Sequence, residues 1–316
     1  MGLHVMLALF LLFQPGMLPD SLRIEQQGEK LAEVNRRNYV YPLPGVPLVN
    51  EDELNKLMKT MEKSVHREPQ NARLDGAGKI IPEQTGRRLD RRGFAERFYS
   101  YIYEGGTGRL EVPLQTTFPK VDSELMSAVK VKRIGQYQTY YNSNNKNRSH
   151  NISLAAKAIN NHVVFPGESF SFNEVVGKRT KDRGYMPAPI IVRGEVSEGV
   201  GGGICQISST LFNAVDRAGL SIVKRYSHSR RVPYVPPGRD ATVSWYGPDF
   251  VFENKYNQPV LIRAYANAGQ ASVTICSTEM INDKPRSVPS ASKKLPQEVR
   301  TEMDANWTRP KVKRVH

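Results

Sequence analysis

The chain passes from stretches of helical periodicity to a long run of strand-like alternation. Leu54, Leu57, Met58 and Met61 fall on one face of E-D-E-L-N-K-L-M-K-T-M-E-K, with Asn50 just ahead of three acidic residues. That pattern predicts a capped amphipathic helix. A second helix is predicted over R-R-G-F-A-E-R-F-Y-S-Y-I-Y, with Phe94, Phe98, Tyr101 and Ile102 turned inward. Between the two, Asp75-Gly76 and Gly78 mark a tight hairpin of short strands. R-L-E-V-P-L-Q-T-T, 109–117, then alternates as a strand.

Beyond residue 130 the strand signals dominate. They are I-G-Q-Y-Q-T-Y-Y-N, A-P-I-I-V, S-I-V-K-R-Y-S-H, V-S-W-Y, F-V-F-E-N, P-V-L-I-R-A-Y and A-S-V-T-I-C, separated by turn residues. Two helices interrupt them. I-S-L-A-A-K-A-I-N follows a polar loop, with Asn151 or Ser149 as the expected cap. The other covers about 206–218 and stops at Gly219. The fold class expected is α+β in two domains, the C-terminal one a mainly antiparallel sheet packed with a few helices. The expected boundaries are 20–129, 130–280 and a tail, 281–316. The tail is rich in Lys, Arg and Pro and poor in apolar periodicity, so it is expected to be disordered.

Residues 5–13 are an uninterrupted apolar run. It suits the core of a signal peptide or short anchor over 1–19 and is too short to span a bilayer. The formal charge is +14. Together these point to an exported protein at the outer face of the cytoplasmic membrane or in the envelope, with an anionic partner. No C-x-x-C pair, arginine-rich helix or aromatic–basic strand suggests nucleic acid. Scattered histidines give no metal spacing, no phosphate loop or dinucleotide fingerprint occurs, and no cofactor is expected.

Candidate chemistry centres on V-G-G-G-I-C-Q. Cys205 follows three glycines and sits at the start of the predicted 206–218 helix. Unpaired N–H groups and the helix dipole favour an anion there, and a thiolate is one. His228 is the candidate base and Asp240, ahead of Asp249, the candidate orienting carboxylate. Gly201, Gly202 and Gly203 leave room for a ligand to approach the backbone. Gln206 is a candidate oxyanion donor, and Arg148 and Arg179 are candidates for holding a carboxylate or phosphate. The plainer alternative is a buried cysteine in a tight glycine turn.

V-G-G-G-I-C-Q-I-S-S-T-L-F-N-A-V resembles the core of the VanW-like proteins. So do F-P-G-E-S-F-S-F-N, V-G-K-R-T, Y-S-H-S, Y-V-P-P-G-R-D-A-T-V and D-F-V-F-E-N, in that order along about 130–280. The order helix, hairpin, helix, strand before it resembles a small peptidoglycan-binding-like domain. The resemblance implies association with glycopeptide (vancomycin) resistance and the cell wall; it implies no particular reaction. Two readings follow. One is a Cys-dependent amide hydrolase or transpeptidase working on peptidoglycan or its precursors. The other is a non-catalytic module binding peptidoglycan or another anionic wall polymer, with membrane-surface association compatible with either.

Overall fold

The computed structural model describes residues 20–43, 45, 47–192 and 195–295. The expected export segment, 1–19, and the end of the basic tail, 296–316, lie outside them. In chain order the elements are β1 (Ser21–Gln26), β2 (Glu29–Asn35), α1 (Glu51–Val65), β3 (Arg73–Leu74), β4 (Ile80–Ile81), β5 (Gly86–Leu89) and α2 (Arg91–Glu104). Then come β6 (Gly108–Glu111), β7 (Leu114–Thr117), α3 (Ser123–Val129), β8 (Lys132–Tyr140), α4 (Lys146–Ile159), β9 (His162–Val164), β10 (Ser169–Ser171) and α5 (Phe172–Val176). The chain closes with β11 (Pro187–Val192), β12 (Glu195–Val200), α6 (Ile204–Arg217), β13 (Ser221–Lys224), β14 (Val251–Glu253), β15 (Val260–Asn267) and β16 (Gln270–Ser277). It is an α+β protein of two compact units. No helix among the described residues is long and apolar enough to cross a membrane.

The first unit comprises residues up to 71 and Glu83–Lys120. Asn50 caps α1 by accepting from the Glu53 N–H, and Glu51, Asp52 and Glu53 complement the positive helix end. Its stripe of Leu54, Leu57, Met58, Met61 and Val65 is buried. Asp90 caps α2, whose Phe94, Phe98, Tyr101 and Ile102 enter the same core as Leu22, Ile24 and Leu110 of the sheet. That sheet has the order β2–β1–β6, with β6 parallel to β1. The stretch expected as one strand, 109–117, breaks into β6 and β7 around Pro113, whose nitrogen has no proton to give a ladder.

The second unit comprises Ala72–Pro82 and the residues from Val121 on. The β3–β4 hairpin, expected in the N-terminal domain, thus belongs here. Ala72 and Leu74 pack with Val121, Met126, Val129, Val163, Leu261 and Cys276. Asn161 fixes the hairpin by exchanging two hydrogen bonds with the Leu74 backbone. The main sheet runs β8–β16–β15–β9 and a smaller one β10–β14–β13, both antiparallel. Asn145, not Ser149 or Asn151, caps α4.

Helix α6 is buried along most of its length, from Ile204 to Val215. A helix buried on all sides belongs inside a core, and α6 lies directly on β8. Gly135 makes that possible: a Cβ there would come within 2.4 Å of the Ala214 carbonyl oxygen. V-S-W-Y, expected as a strand, is irregular, because its neighbours in the chain bond to side chains of α6 rather than to a strand.

The expected disordered tail is ordered at its start. Ile281 and Val288 are buried in the main core. Arg286 pairs with Asp216 at 2.9 Å, Arg217 donates to the Val288 carbonyl, and the Tyr137 hydroxyl donates to that of Pro289. Two apolar side chains too widely spaced to register as a periodic pattern are enough when a preformed surface receives them. A chain ending at residue 280 should therefore melt roughly 5–10 °C below one ending at 295, the loss expected from two buried aliphatic side chains and an ion pair. Calorimetry on the two truncations measures this; equal melting temperatures would show that the segment adds nothing.

Candidate functional site

The glycines ahead of α6 are set by backbone geometry and by close packing. Gly201 and Gly203 have φ of +90° and +105°, which only glycine adopts without strain. A Cβ on Gly202 would stand 2.4 Å from the Ala188 carbonyl oxygen of β11. One on Gly201 would meet the Arg179 stem at 3.1 Å, and one on Gly203 the Arg148 guanidinium at 3.0 Å. Gly201 and Gly202 are buried. The room that the sequence suggests for a ligand is thus filled by the protein's own groups. Asn151, buried in α4, clamps this turn. Its Nδ2 donates to the Met186 and Gly202 carbonyls, and its Oδ1 accepts from the Met186 N–H.

The turn delivers Cys205 to the second position of α6, a partly buried residue packed against the main core. No side chain caps this helix end, and the Ile204 and Gln206 N–H groups on either side of Cys205 donate to the Gly201 and Gly203 carbonyls. Cys205 Sγ lies 3.8 Å from Thr242 Oγ1 and 3.5 Å from the Val243 carbonyl oxygen.

His228 and Asp240 come to the same place from two irregular segments. Strand β13 ends at Lys224, and the chain leaves the sheet before His228. Asp240 Oδ2 accepts the His228 backbone N–H and lies 2.6 Å from His228 Nδ1. Both side chains are at most 10% exposed. With Nδ1 engaged by the carboxylate, Nε2 is the ring nitrogen left for the thiol.

The ionisation of the three groups follows from this arrangement. Burial would raise the Cys205 thiol, but the hydrogen bond and charge of His228, aided by Val243 and Thr242, hold it below the ordinary thiol range. Burial would lower His228, but Cys205 and Asp240 together raise it. Burial would raise Asp240, and the two contacts from His228 hold it down. Each shift favours the charged form of its group: thiolate, imidazolium and carboxylate. Cys276, by contrast, is buried in β16 and its thiol is pushed up by burial.

The other sequence candidates have structural duties. Gln206 is fully buried. Its Nε2 donates to Thr139 Oγ1 and the Tyr140 carbonyl, and its Oε1 accepts from Arg148 at 2.7 Å. That geometry leaves it no reach toward an oxyanion. Arg148 braces the glycine turn through the same bond. Burial holds the Arg179 guanidinium below its ordinary range, and the charge of a Cys205 thiolate opposes that. Its Nη2 donates to Asn173 Oδ1 at 2.8 Å, while its buried Nη1 has no hydrogen-bond partner. Asp249 accepts from Ser171 Oγ and the Asn173 N–H, at the start of α5, and does not meet the histidine. Sequence reasoning passed over Tyr234, buried near Cys205, whose hydroxyl is held neutral by burial and by the thiolate charge. It also passed over Thr242, although the Y-V-P-P-G-R-D-A-T-V stretch contains it, and it offered Asn151 as a helix cap rather than as the clamp of the glycine turn. Among the described residues, no three His, Cys, Asp or Glu side chains cluster as metal ligands would.

Two family profiles match the chain. The one described as "VanW like protein" covers residues 147–276, and "Putative peptidoglycan binding domain" covers residues 22–111. The chain is 57% identical over 294 residues to "Uncharacterized protein YoaR" of Bacillus subtilis (strain 168), spanning 93% of this chain and 97% of that one. It is also 35% identical over 104 residues to "Vancomycin B-type resistance protein VanW" of Enterococcus faecalis (strain ATCC 700802 / V583), spanning 31% of this chain and 38% of that one. No solved structure matches it. The site built around Cys205 lies within the VanW-like match, and the chain belongs to the VanW-like family, in the form that carries a peptidoglycan-binding-like domain ahead of it.

Proposed function

We propose that the second unit is a cysteine amide hydrolase or transpeptidase acting on the peptide part of peptidoglycan or its precursors, exported to the cell envelope. The observation that carries this reading is the convergence of Cys205, His228 and Asp240, with the imidazole 2.6 Å from the carboxylate and its hydrogen bond and charge acting on the thiol. Membership of the VanW-like family and the peptidoglycan-binding-like domain support a cell-wall role. That first domain holds the wall polymer while the second works on it.

In this mechanism the Cys205 thiolate adds to an amide carbonyl carbon. The carbonyl oxygen takes the negative charge and is met by the Cys205 N–H at the helix end. The C–N bond breaks as His228 gives its Nε2 proton to the departing amine, leaving a thioester on Cys205. A water or an acceptor amine then attacks the thioester and yields its proton to His228, and the S–C bond breaks. Water gives hydrolysis; an amine gives transfer. Asp240 keeps the imidazole in the tautomer and orientation that both steps need.

Incubation of isolated peptidoglycan with the full chain, followed by mass spectrometry of released fragments, tests the reaction. Cys205→Ala should abolish product, and Asp240→Asn should slow it on the order of a hundredfold or more. Undiminished product from Cys205→Ala would overturn the reading. Retained wall binding with no product from any variant, wild type included, would favour the non-catalytic module.

The ion pair predicts a second, independent result. Iodoacetamide should label Cys205 near neutral pH, with half-maximal rate below the free-thiol value of about 8.5. Cys276 should resist until the protein is denatured. In His228→Ala the largest effect opposing burial is lost, so the midpoint should move upward. A profile unchanged by that substitution would show that the histidine does not act on the thiol.

A further inference from the structure

The turn Ser244–Pro248 takes no part in the mechanism above, and it carries Trp245 and Tyr246, 40% and 85% exposed. Their ring centroids lie 6.5 Å apart at an interplanar angle of 73°. Lys178 Nζ lies 5.3 Å from the Tyr246 centroid. The turn is firmly closed at its base. The Ser244 N–H donates to the Pro248 carbonyl at 2.8 Å, and Asn173 Nδ2 donates to both the Ser244 and Pro248 carbonyls. Asn173 is nearly buried and is held in turn by Arg179.

The same turn is continuous with the thiol site. Thr242 and Val243, which touch Cys205, precede it directly. The Thr242 N–H donates to the Tyr226 carbonyl, which brings in a third aromatic residue, 49% exposed. A turn needed only to reverse the chain favours small polar residues at its tip. Here buried hydrogen bonds fix the base while two large rings face solvent at the rim of the site. Such rings suit a ligand with one apolar face and a polar edge, and a pyranose is one: its axial C–H groups stack on a ring and its hydroxyls stay in water.

We infer that Trp245 and Tyr246 form a stacking platform for the pyranose rings of the glycan strand that bears the peptide. This rests on the proposed function and adds to it: the substrate is a peptide still attached to its glycan, with the sugar seated beside Cys205.

Fluorescence can report on the platform directly. The chain has two tryptophans, Trp245 and Trp307, so in full-length Trp307→Phe the emission comes from Trp245 alone. Titration with a neutral N-acetylglucosamine tetramer should give a saturable change. Its midpoint should hold in about 0.5 M salt, where exposed charge is screened within several ångströms. Tyr246→Ala should weaken binding roughly tenfold, the size of one lost ring contact. Because the probe needs no chemistry, Cys205→Ala should bind it as the parent does, and an inert thiol would leave this result standing. No saturable change, a Tyr246→Ala midpoint equal to the parent's, or saturation by a free stem peptide in place of the sugar would overturn the inference.

Discussion

The site depends on a row of hydrogen bonds between the polar side chains of α6 and the irregular segment 239–243. Ser208 Oγ donates to the Ala241 carbonyl, Ser209 Oγ accepts the Ala241 N–H, and Asn213 Nδ2 donates to the Arg239 carbonyl. Arg239 returns a bond to Asn213 Oδ1 and pairs with Asp216. These buried groups give a segment without strand partners the hydrogen bonds that a sheet would otherwise supply. Because Cys205 and Asp240 sit on the two sides of this row, its register sets the distance between nucleophile and carboxylate. The histidine is then fixed by two bonds to one carboxylate oxygen, one of them from its backbone.

The same economy holds around the glycine turn. Asn151, Arg148 and Gln206 form a connected set that ties α4, α6 and β8 to the turn. Their hydrogen bonds run to backbone carbonyls, to Thr139 and to one another, so these polar groups beside the glycine turn serve position rather than chemistry. Around the thiol stand the histidine, the Thr242 hydroxyl and the Val243 carbonyl, and Arg179 keeps a buried nitrogen without a hydrogen-bond partner. An unpaired buried cation close to a thiolate is stabilised chiefly by that negative charge.

Much of this was legible in the sequence where signals are local. The helices at 51–65 and 91–104 have periodic apolar faces and side-chain caps, and both form as expected. A cysteine after three glycines at a helix start was also readable, and the structure brings His228 and Asp240 to it while leaving Asp249 at α5. What was not readable depends on distant partners. Glycine looks the same in sequence whether a ligand or a neighbouring carbonyl needs the space, and at Gly202 it is the carbonyl of Ala188. The alternation in V-S-W-Y carries no mark that its backbone will bond to helix side chains. The β3–β4 hairpin could have packed in either unit, since Leu74 and Ala72 fit any apolar surface. Ile281 and Val288 are too sparse to stand out in a basic segment.

The packing of 281–291 also bears on the order of synthesis. A ribosome releases the chain from its N-terminus, so β8, α6 and both cysteines emerge before the residues that cover the far end of α6. Until Arg286 reaches Asp216 and Val288 reaches the core, the helix that carries the nucleophile keeps an open C-terminal half. Maturation of the thiol site is thereby tied to translation past residue 288, and a chain ended before it carries the same reactive residues on an unfinished core.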